Sequence, residues 1–407
     1  MKTVLIGGGV AGLFFANLYK GDLKVIEKND LAGRKLLATG NGRCNFTNLN
    51  LALDKFHSSG KDFYKLALEK YDNHDLINFL NDLGILTTFL PSGRCYPQTL
   101  SAKTIRDILY LNTKEKFIFE SEVRDIDFKN HLVITEKAKI HFENLVIATG
   151  GITLPGSGSD GKIFDILRPF HKVTSLSYGI TNYKCQNPLS KKAKGVRVTA
   201  RARLFVDGKF IEASTDDVIF QNYGLTGTAI LDLSNYISYA LLDKKEVWVS
   251  LDLLEAYPEE KLIEIIKKLG RENLNKTIEE ILMGFLNEKL IIDILNRVKL
   301  KGKILASGLT DGEIKNLVRT IKDLRFKITA INDEENAQVT IGGIDTDFVD
   351  PETFESKIIP NLYFIGEVLD VDGACGGYNI QWAYSSAKAC AMGLLAKNRE
   401  EINVKNK

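Results

Sequence analysis

Short apolar runs, glycine-rich turns and amphipathic segments follow one another at the start of the chain. Residues 3–6 form a short, mostly apolar run, as in a buried parallel strand, and residues 10–19 are apolar nearly all round. Residues 23–27 predict a second strand, and a glycine-rich turn separates the first strand from the predicted helix. This succession is typical of the first unit of a dinucleotide-binding α/β domain.

The middle of the chain has two different patterns. Residues 196–204 alternate between apolar and polar positions, which predicts a half-buried strand, and Asp207-Gly208 predicts a hairpin turn after it. Residues 258–324 have helical character. This segment holds two pairs with capping-box spacing and one glycine that we expect to end a helix: Thr277 with Glu280, Thr310 with Glu313, and Gly270.

Strand character returns near the C-terminal end, at residues 326–331 and 362–365, before a last predicted helix over residues 379–396. We therefore predict an α/β domain that is interrupted once. Residues 1–182 and 329–407 form this discontinuous domain, residues 183–255 an inserted β-rich domain, and residues 256–328 a small helical subdomain.

Composition and charge narrow the functional classes. A net charge of +2 on 407 residues favours neither a nucleic-acid partner nor an acidic one. The five cysteines include no CxxC pair, and the histidines lack metal-ligand spacing, so we expect neither a dithiol centre nor a metal site. The apolar runs are shorter than the ~20 residues that span a bilayer, and the N-terminus lacks a signal-peptide pattern. We expect a cytoplasmic protein without membrane attachment.

The first glycine-rich turn has the spacing of a dinucleotide-binding motif. Gly7 permits the tight turn, Gly9 lets the backbone approach a pyrophosphate, and Gly12 lets the helix pack closely on the strand. Glu27 ends the second strand about twenty residues later, where a carboxylate can accept ribose hydroxyls. A second match at 156–161 follows no apolar strand, so we interpret it as a loop.

Three further segments indicate which dinucleotide is bound. Residues 33–48 are rich in glycine, amides and basic residues, which suit phosphate and the close approach of a flat ring. Residues 148–151 end a buried strand in glycines. Residues 361–379 combine a buried strand, a Gly-Glu pair, a glycine-rich turn and a helix start, whose N-terminus can stabilise negative charge on a reduced flavin. Together they favour FAD.

The sequence resembles a bacterial family of NAD(P)/FAD-dependent oxidoreductases, also described as aminoacetone-oxidase-like FAD-binding proteins. The resemblance rests on GRKLLATGNGRCNFTN at 33–48, ATGG at 148–151, AQVTIGGID at 337–345 and LYFIGEVLDVDGACGGYNIQWAYSS at 362–386. It implies an α/β fold, with a Rossmann-like FAD-binding domain built from both chain ends, an inserted β-rich domain and a small helical domain.

The resemblance, together with the glycine end of the buried strand, implies a set of FAD-binding residues. These are Gly7, Gly9, Gly12, Glu27, Arg34, Lys35, Gly42, Arg43, Asn45, Thr149, Gly150, Gly366, Glu367, Gly377, Tyr378 and Asn379. Asn222 and Thr228 depart from the family pattern, which often has His and Pro at these positions.

The residues that carry the reaction are left open by the sequence. Tyr378 and Cys375 lie in the turn expected near the flavin ring and are weak candidates for a catalytic role. A basic run at 191–203 could contact RNA, but its alternation is typical of the solvated face of a strand. We expect a small-molecule substrate.

Three functions follow in order of preference. The first is an FAD-dependent oxidoreductase that reduces an activated C=C or similar bond, with NAD(P)H as a transient electron donor. Some relatives in the family are described as enone reductases of the bile-acid type, which suits this function. The second is an oxidase of a small amine that uses oxygen. The third is an RNA-linked or non-catalytic flavoprotein.

Overall fold

A computed structural model describes residues 2–60, 62–332, 334 and 337–405 of the protein, with side chains described as far as residue 399. The chain divides into two compact units. Unit 1 comprises residues 1–179 and 335–407, and unit 2 comprises residues 180–334. Unit 1 is therefore built from both ends of the chain, with unit 2 inserted between them.

The strands of unit 1 come from both chain ends, and those of unit 2 are consecutive. In chain order the strands are β1 Lys2–Ile6, β2 Asp22–Ile26, β3 Thr47–Asn48, β4 Phe56–His57, β5 Thr87–Phe89, β6 Arg94–Pro97, β7 Phe117–Ile118, β8 Val123–Asp127, β9 Leu132–Thr135, β10 Lys139–His141, β11 Asn144–Ile147, β12 Ser177–Gly179, β13 Tyr183–Cys185, β14 Arg197–Val206, β15 Lys209–Phe220, β16 Gly224–Thr226, β17 Val247–Asp252, β18 Leu324–Ile331, β19 Val339–Ile341, β20 Leu362–Phe364 and β21 Asp372–Gly373.

The helices follow the same division. They are α1 Val10–Leu18, α2 Arg34–Ala38, α3 Lys65–Lys70, α4 Asn73–Asp82, α5 Ala102–Leu111, α6 Lys162–Leu167, α7 Thr228–Asp232, α8 Ser234–Leu242, α9 Glu259–Glu272, α10 Ile278–Leu282, α11 Glu288–Arg297, α12 Asp311–Lys322 and α13 Tyr378–Lys405.

A parallel sheet in the order β20-β11-β1-β2-β7 forms the centre of unit 1. Its inner strands are apolar because helices cover both faces of such a sheet. All four residues of β11 are buried, as are four of the five in β1. The order places the glycine turn after β1 beside the end of β11. The α/β class, with a Rossmann-like domain from both chain ends, is confirmed.

Smaller antiparallel sheets surround this centre. Strands β8, β9 and β10 form an antiparallel three-stranded meander. Strand β21 pairs with β4, and β3 pairs with β6, which in turn pairs with β5. Strand β12 pairs with β19, so the two segments of chain that flank unit 2 meet within unit 1.

Unit 2 contains a closed barrel in the order β13-β16-β15-β14-β17-β18. Apolar residues of the barrel and of α9 to α12 share one hydrophobic core. The division of this insert at residue 255 stays a prediction. Both capping boxes occur as predicted: Thr277 and Thr310 each accept a hydrogen bond from the backbone of the glutamate three residues later.

One helix end in unit 2 differs from our expectation. Gly270 lies inside α9, which continues to Glu272, so the predicted helix end is wrong. A Cβ at Gly270 would lie 3.1 Å from the carbonyl oxygen of Ala306. The glycine at this position allows two backbones to pack closely, and this packing cannot be recognised from local sequence.

Candidate functional site

The three motif glycines at the start of α1 differ in the space around them. There is room for a ligand beside Gly9, but none beside Gly7 or Gly12. A Cβ at Gly7, where φ is +104°, would lie 2.5 Å from the carbonyl oxygen of Ala148, and one at Gly12 would lie 2.1 Å from that of Gly7. At Gly9 the nearest atom would be the oxygen of Ala148 at 3.8 Å. Gly9 therefore leaves space for a ligand beside the first turn of α1.

The first turn of α1 carries positive partial charge. Among the described residues, no side chain caps the helix, and residues 10–13 of its first turn include no acidic residue. Backbone N–H groups in such a position suit a phosphate group. Together with the open side of Gly9, they form a backbone cradle for the pyrophosphate of a dinucleotide.

Glu27 follows β2 and is 7% exposed. Its Oε2 accepts a hydrogen bond from the Gly8 N–H at 2.7 Å, and its Oε1 accepts from the backbone N–H and the side-chain amide of Asn29 at 2.8 and 2.9 Å. Burial raises the pKa of Glu27, and the hydrogen bonds from Asn29 and Gly8 partly oppose this effect. Three donors thus hold the carboxylate in one orientation beside the glycine turn.

A cleft that is open to solvent lies along this edge of the parallel sheet, and its volume, open solvent included, is about 1310 Å³. Nine of the residues predicted to bind FAD line it: Gly7, Gly9, Glu27, Arg34, Lys35, Thr149, Gly150, Glu367 and Asn379. The backbone cradle and the oriented carboxylate, which share this one cleft, fit FAD.

Lys35 and Glu367 form the main charged contact in the lining. The Lys35 Nζ lies 2.8 and 2.7 Å from the two carboxylate oxygens of Glu367 and donates to Thr153 Oγ1 at 2.7 Å. The Thr340 N–H donates to Glu367 Oε1 at 3.0 Å. Burial opposes ionisation of Glu367, but the ammonium of Lys35 and the hydrogen bonds from Thr340 hold its pKa below the usual value. These contacts hold the Glu367 carboxylate in one position beside Lys35.

Arg34 lines the same cleft beside Lys35. One guanidinium nitrogen contacts Asp30 Oδ1 at 2.5 Å, and another lies 3.5 Å from Asn29 Oδ1. The Arg34 side chain is about one-third exposed, at 36%. The Arg34 guanidinium therefore contacts the Asp30 carboxylate, and the side chain also lines the cleft.

The glycine-rich loop that follows lies outside the cleft lining, and it contains Gly42, Arg43 and Asn45. Its backbone takes left-handed conformations at Gly40, Asn41, Gly42 and Cys44. The guanidinium of Arg43 lies over the ring of Tyr96 at 5.4 Å from the centroid. With its amide nitrogen turned inward, Asn45 donates to the carbonyl oxygens of Cys95 and Thr47 at 3.1 and 2.9 Å. FAD contacts at these residues stay predictions.

Some residues of the C-terminal segment 361–379 line the cleft, and others are buried outside the lining. Asn379 reaches the cleft and closes the preceding turn, accepting from Gly373 N at 2.8 Å and donating to Gly373 O at 2.7 Å. Tyr378 is buried, and its hydroxyl donates to the Asn50 carbonyl at 3.4 Å. A Cβ at Gly377 would lie 2.6 Å from the Thr47 backbone. The remaining predicted residues, Gly12, Gly366, Gly377, Tyr378 and Cys375, lie outside the cleft lining.

Several lining residues were not predicted from the sequence to contact a ligand. They include Lys28, Asn29, Ser121, Glu122 and the segment from Ser157 to Ile163. The last of these includes the glycine-rich match interpreted as a loop, and residues 158–161 are indeed irregular. The glycines at 156, 158 and 161 are the sequence signal that could have marked it. Because the segment approaches β2 in space but lies far from it in sequence, pattern alone does not connect the two.

Among the described residues, no group of three or more His, Cys, Asp and Glu side chains is arranged to hold a metal ion. In the same part of the chain, no helix is at once long enough and apolar enough to cross a membrane. The cleft beside α1 is therefore the candidate functional site.

Comparison with known proteins connects the cleft to a family. Residues 1–393 match the family model described as the HI0933-like protein Rossmann domain. A 3-dehydro-bile acid delta(4,6)-reductase from Clostridium scindens is 29% identical, over 94% of this chain and 96% of that protein. Ribosomal RNA dihydrouridine synthases from Haemophilus influenzae and Escherichia coli are each 31% identical, over 97% of this chain and 98% of those proteins.

Proposed function

Because the chain belongs to the HI0933-like Rossmann-domain family of flavin-dependent oxidoreductases, we propose that it reduces a carbon–carbon double bond conjugated with a carbonyl group. The electrons come from NAD(P)H through bound FAD. The observation that carries this proposal is the cleft with its open glycine cradle and oriented carboxylate, in a chain whose relatives are reductases of this kind. The cytoplasmic location stays a prediction.

The names of the relatives support this choice of bond. A delta(4,6)-reductase acting on a 3-dehydro-bile acid and a dihydrouridine synthase both saturate carbon–carbon double bonds. In a 3-oxo-4,6-diene and in the uracil ring, such a bond is conjugated with a carbonyl group. Conjugation makes the remote carbon electrophilic, so that hydride can add there while a proton adds to the neighbouring carbon. The shared feature is therefore an activated double bond, and the molecules that carry it differ.

Residues of this chain would bind and orient the cofactor. Bound FAD supplies the hydride chemistry, and the protein supplies position and electrostatics. The Gly7–Gly12 turn and the first turn of α1 would hold the pyrophosphate, and Glu27 would accept ribose hydroxyls. The Lys35–Glu367 pair would place one fixed positive and one fixed negative group along the cleft. Tyr378 and Cys375 stay weak candidates for a catalytic role.

A second candidate substrate is uracil within RNA, and the two dihydrouridine synthases favour it. In unit 2, Lys191, Lys192 and Lys194 are exposed, which suits contact with phosphates. Two arginines of the same basic run pair with carboxylates, Arg197 with Asp217 at 3.3 Å and Arg201 with Glu255 at 3.0 Å. These pairs reduce the local positive charge, and the expectation that nucleic acid is not a partner stays a prediction.

The experiment has two steps and begins with the electron donor. The purified protein is mixed anaerobically with NADH or NADPH while the flavin absorbance at about 450 nm is followed. We expect rapid bleaching with one of the two. A yellow protein that neither donor bleaches would contradict the proposal and favour the oxidase, which peroxide formation in the presence of small amines and oxygen would identify.

The second step separates the substrates. The bleached protein receives either a steroid with a 3-oxo-4,6-diene or ribosomal RNA that lacks dihydrouridine, and the return of the absorbance is recorded. Mass spectrometry then tests for the gain of two hydrogens in the steroid or in a nucleoside. Saturation of the steroid alone identifies a small-molecule reductase, and saturation of uridine alone identifies RNA. Oxidation by neither would contradict reduction of a conjugated double bond.

A further inference from the structure

A segment of unit 1 with no assigned role lies along the cleft, namely residues 157–162, which follow β11 and lead into α6. It approaches the end of β2: the Asn29 side-chain amide donates to the Ser157 carbonyl at 3.0 Å and to Glu27 Oε1 at 2.9 Å. A Cβ at Gly158, where φ is +107°, would lie 2.5 Å from that amide nitrogen. The segment is thus packed against the residues that orient Glu27.

Two ion pairs hold the segment at the same place. Lys28 Nζ lies 2.9 Å from Asp160 Oδ1, and both side chains are about one-quarter exposed, at 24% and 25%. Lys162 Nζ lies 2.8 Å from Glu122 Oε1, just before β8, and 3.4 Å from Asp160 Oδ2. Although burial opposes ionisation of Asp160, Lys28 and the Lys162 backbone hold its pKa below the usual value. These ion pairs therefore connect the segment to Lys28, which follows β2, and to Glu122, which precedes β8.

Ser159 lies in the cleft lining and is 6% exposed. Among the described residues, its Oγ has no hydrogen-bond partner. A Cβ at Gly150 would lie 2.9 Å from this oxygen, so the glycine at the end of β11 leaves room for the hydroxyl. Since a buried hydroxyl without a partner costs free energy, a partner from a bound ligand is expected here.

We propose that residues 157–162 form a strap that retains FAD in the cleft. The Ser159 hydroxyl donates a hydrogen bond to the bound cofactor, and the Lys28–Asp160 and Lys162–Glu122 pairs fasten the strap to β2 and β8. This inference rests on the proposed binding of FAD. It adds a retention device that opens when its ion pairs are screened or removed, so the lifetime of the bound cofactor depends on ionic strength.

The test measures the release of FAD from the purified holoprotein by the rise in flavin fluorescence, at 0.05 M and 1 M NaCl. For Ser159→Ala we expect release about two- to tenfold faster than in the parent, as loss of one hydrogen bond implies. For Asp160→Asn we expect faster release at low salt, because the variant lacks the Lys28–Asp160 pair. Its release should also respond less to salt than that of the parent, in which 1 M NaCl shortens the range of the charge–charge attraction to about 3 Å. The double variant Lys28→Gln/Asp160→Asn should release FAD less rapidly than the combined effects of the two single variants imply, because both substitutions remove the same ion pair.

Controls away from the cleft make the result specific. Asp62→Asn removes an exposed pair with Lys65, and Ser101→Ala removes a half-buried hydroxyl just before α5; neither should change release. Thermal unfolding of each apoprotein shows whether a variant folds. Release that is unchanged in both Ser159→Ala and Asp160→Asn, from folded proteins, would overturn the strap. If the parent neither retains FAD nor takes it up, the proposed function itself fails, and the strap fails with it.

Discussion

Lys35 Nζ lies 2.7 Å from Glu367 Oε2, although 332 residues separate the two in the chain. Lys35 is in α2, and Glu367 follows β20, so the contact joins the two chain ends that build unit 1. Both side chains are about one-fifth exposed, at 21% and 20%. Such a pair is sheltered enough that removing one member leaves the other poorly solvated. The contact therefore stabilises unit 1 and also holds two lining residues of the cleft in position.

Lys35→Met should lower the free energy of unfolding of the apoprotein by about 1–3 kcal/mol, because Glu367 then keeps its charge without an opposite charge beside it. The measurement is urea denaturation followed by circular dichroism at neutral pH. The double variant Lys35→Met/Glu367→Gln should recover part of the loss. As a control, Lys65→Gln removes an exposed partner of Asp62 and should leave the urea midpoint in place. Equal midpoints for Lys35→Met and the parent would contradict the assigned role.

The acid stability of unit 1 should depend on Glu367. Its pKa is lowered in the folded protein, where the opposing effect of burial is overcome by Lys35 and Thr340. The resulting stabilisation is complete above the unfolded pKa of about 4.3 and is lost as pH falls through the lower folded pKa. Below about pH 4.3, the Tm of the parent should therefore fall more steeply than that of Glu367→Gln. Glu69→Gln, at an exposed position, should follow the parent. Parallel curves for the parent and Glu367→Gln would refute this.

Two glycines of the first turn should respond differently to the same added methyl group. Gly9→Ala meets only the Ala148 oxygen at 3.8 Å, whereas Gly12→Ala places its Cβ 2.1 Å from the Gly7 oxygen. We expect Gly9→Ala to fold with an unchanged Tm but to retain FAD at least about tenfold less well, because its methyl group enters the cradle. Gly12→Ala should reduce stability as well. The measurements are thermal unfolding of the apoprotein and FAD titration. An unimpaired cofactor affinity in Gly9→Ala would place the pyrophosphate elsewhere.

Glu27→Ala should weaken FAD retention, since the ribose hydroxyls lose their acceptor and the Gly8 and Asn29 N–H groups lose theirs. The expected loss is about tenfold or more, as for removal of a hydrogen-bonded charge. The ratio of flavin to protein after gel filtration measures it, with Glu69→Ala as the matched control. A variant as yellow as the parent would show that Glu27 does not bind the cofactor.

The local pattern of the chain determined the elements that carry the cofactor site. The strand, glycine turn and helix of residues 2–18 form as predicted, because buried strands and tight glycine turns leave distinct sequence patterns. The capping boxes at Thr277 and Thr310 were predicted for the same reason, since their partners lie three residues away. The α/β class, the family and the flavin-dependent oxidoreductase class are likewise confirmed.

The tertiary structure decided which of the predicted residues share one cleft. It brings Glu367 to Lys35 and Ser159 to Gly150, while the buried Tyr378 lies outside the lining. It also places Gly270 inside a helix, where the backbone of Ala306 packs closely against it. The physical reason is common to these cases. Periodicity and caps record interactions within a few residues, whereas the packing of distant segments leaves no regular mark in the sequence.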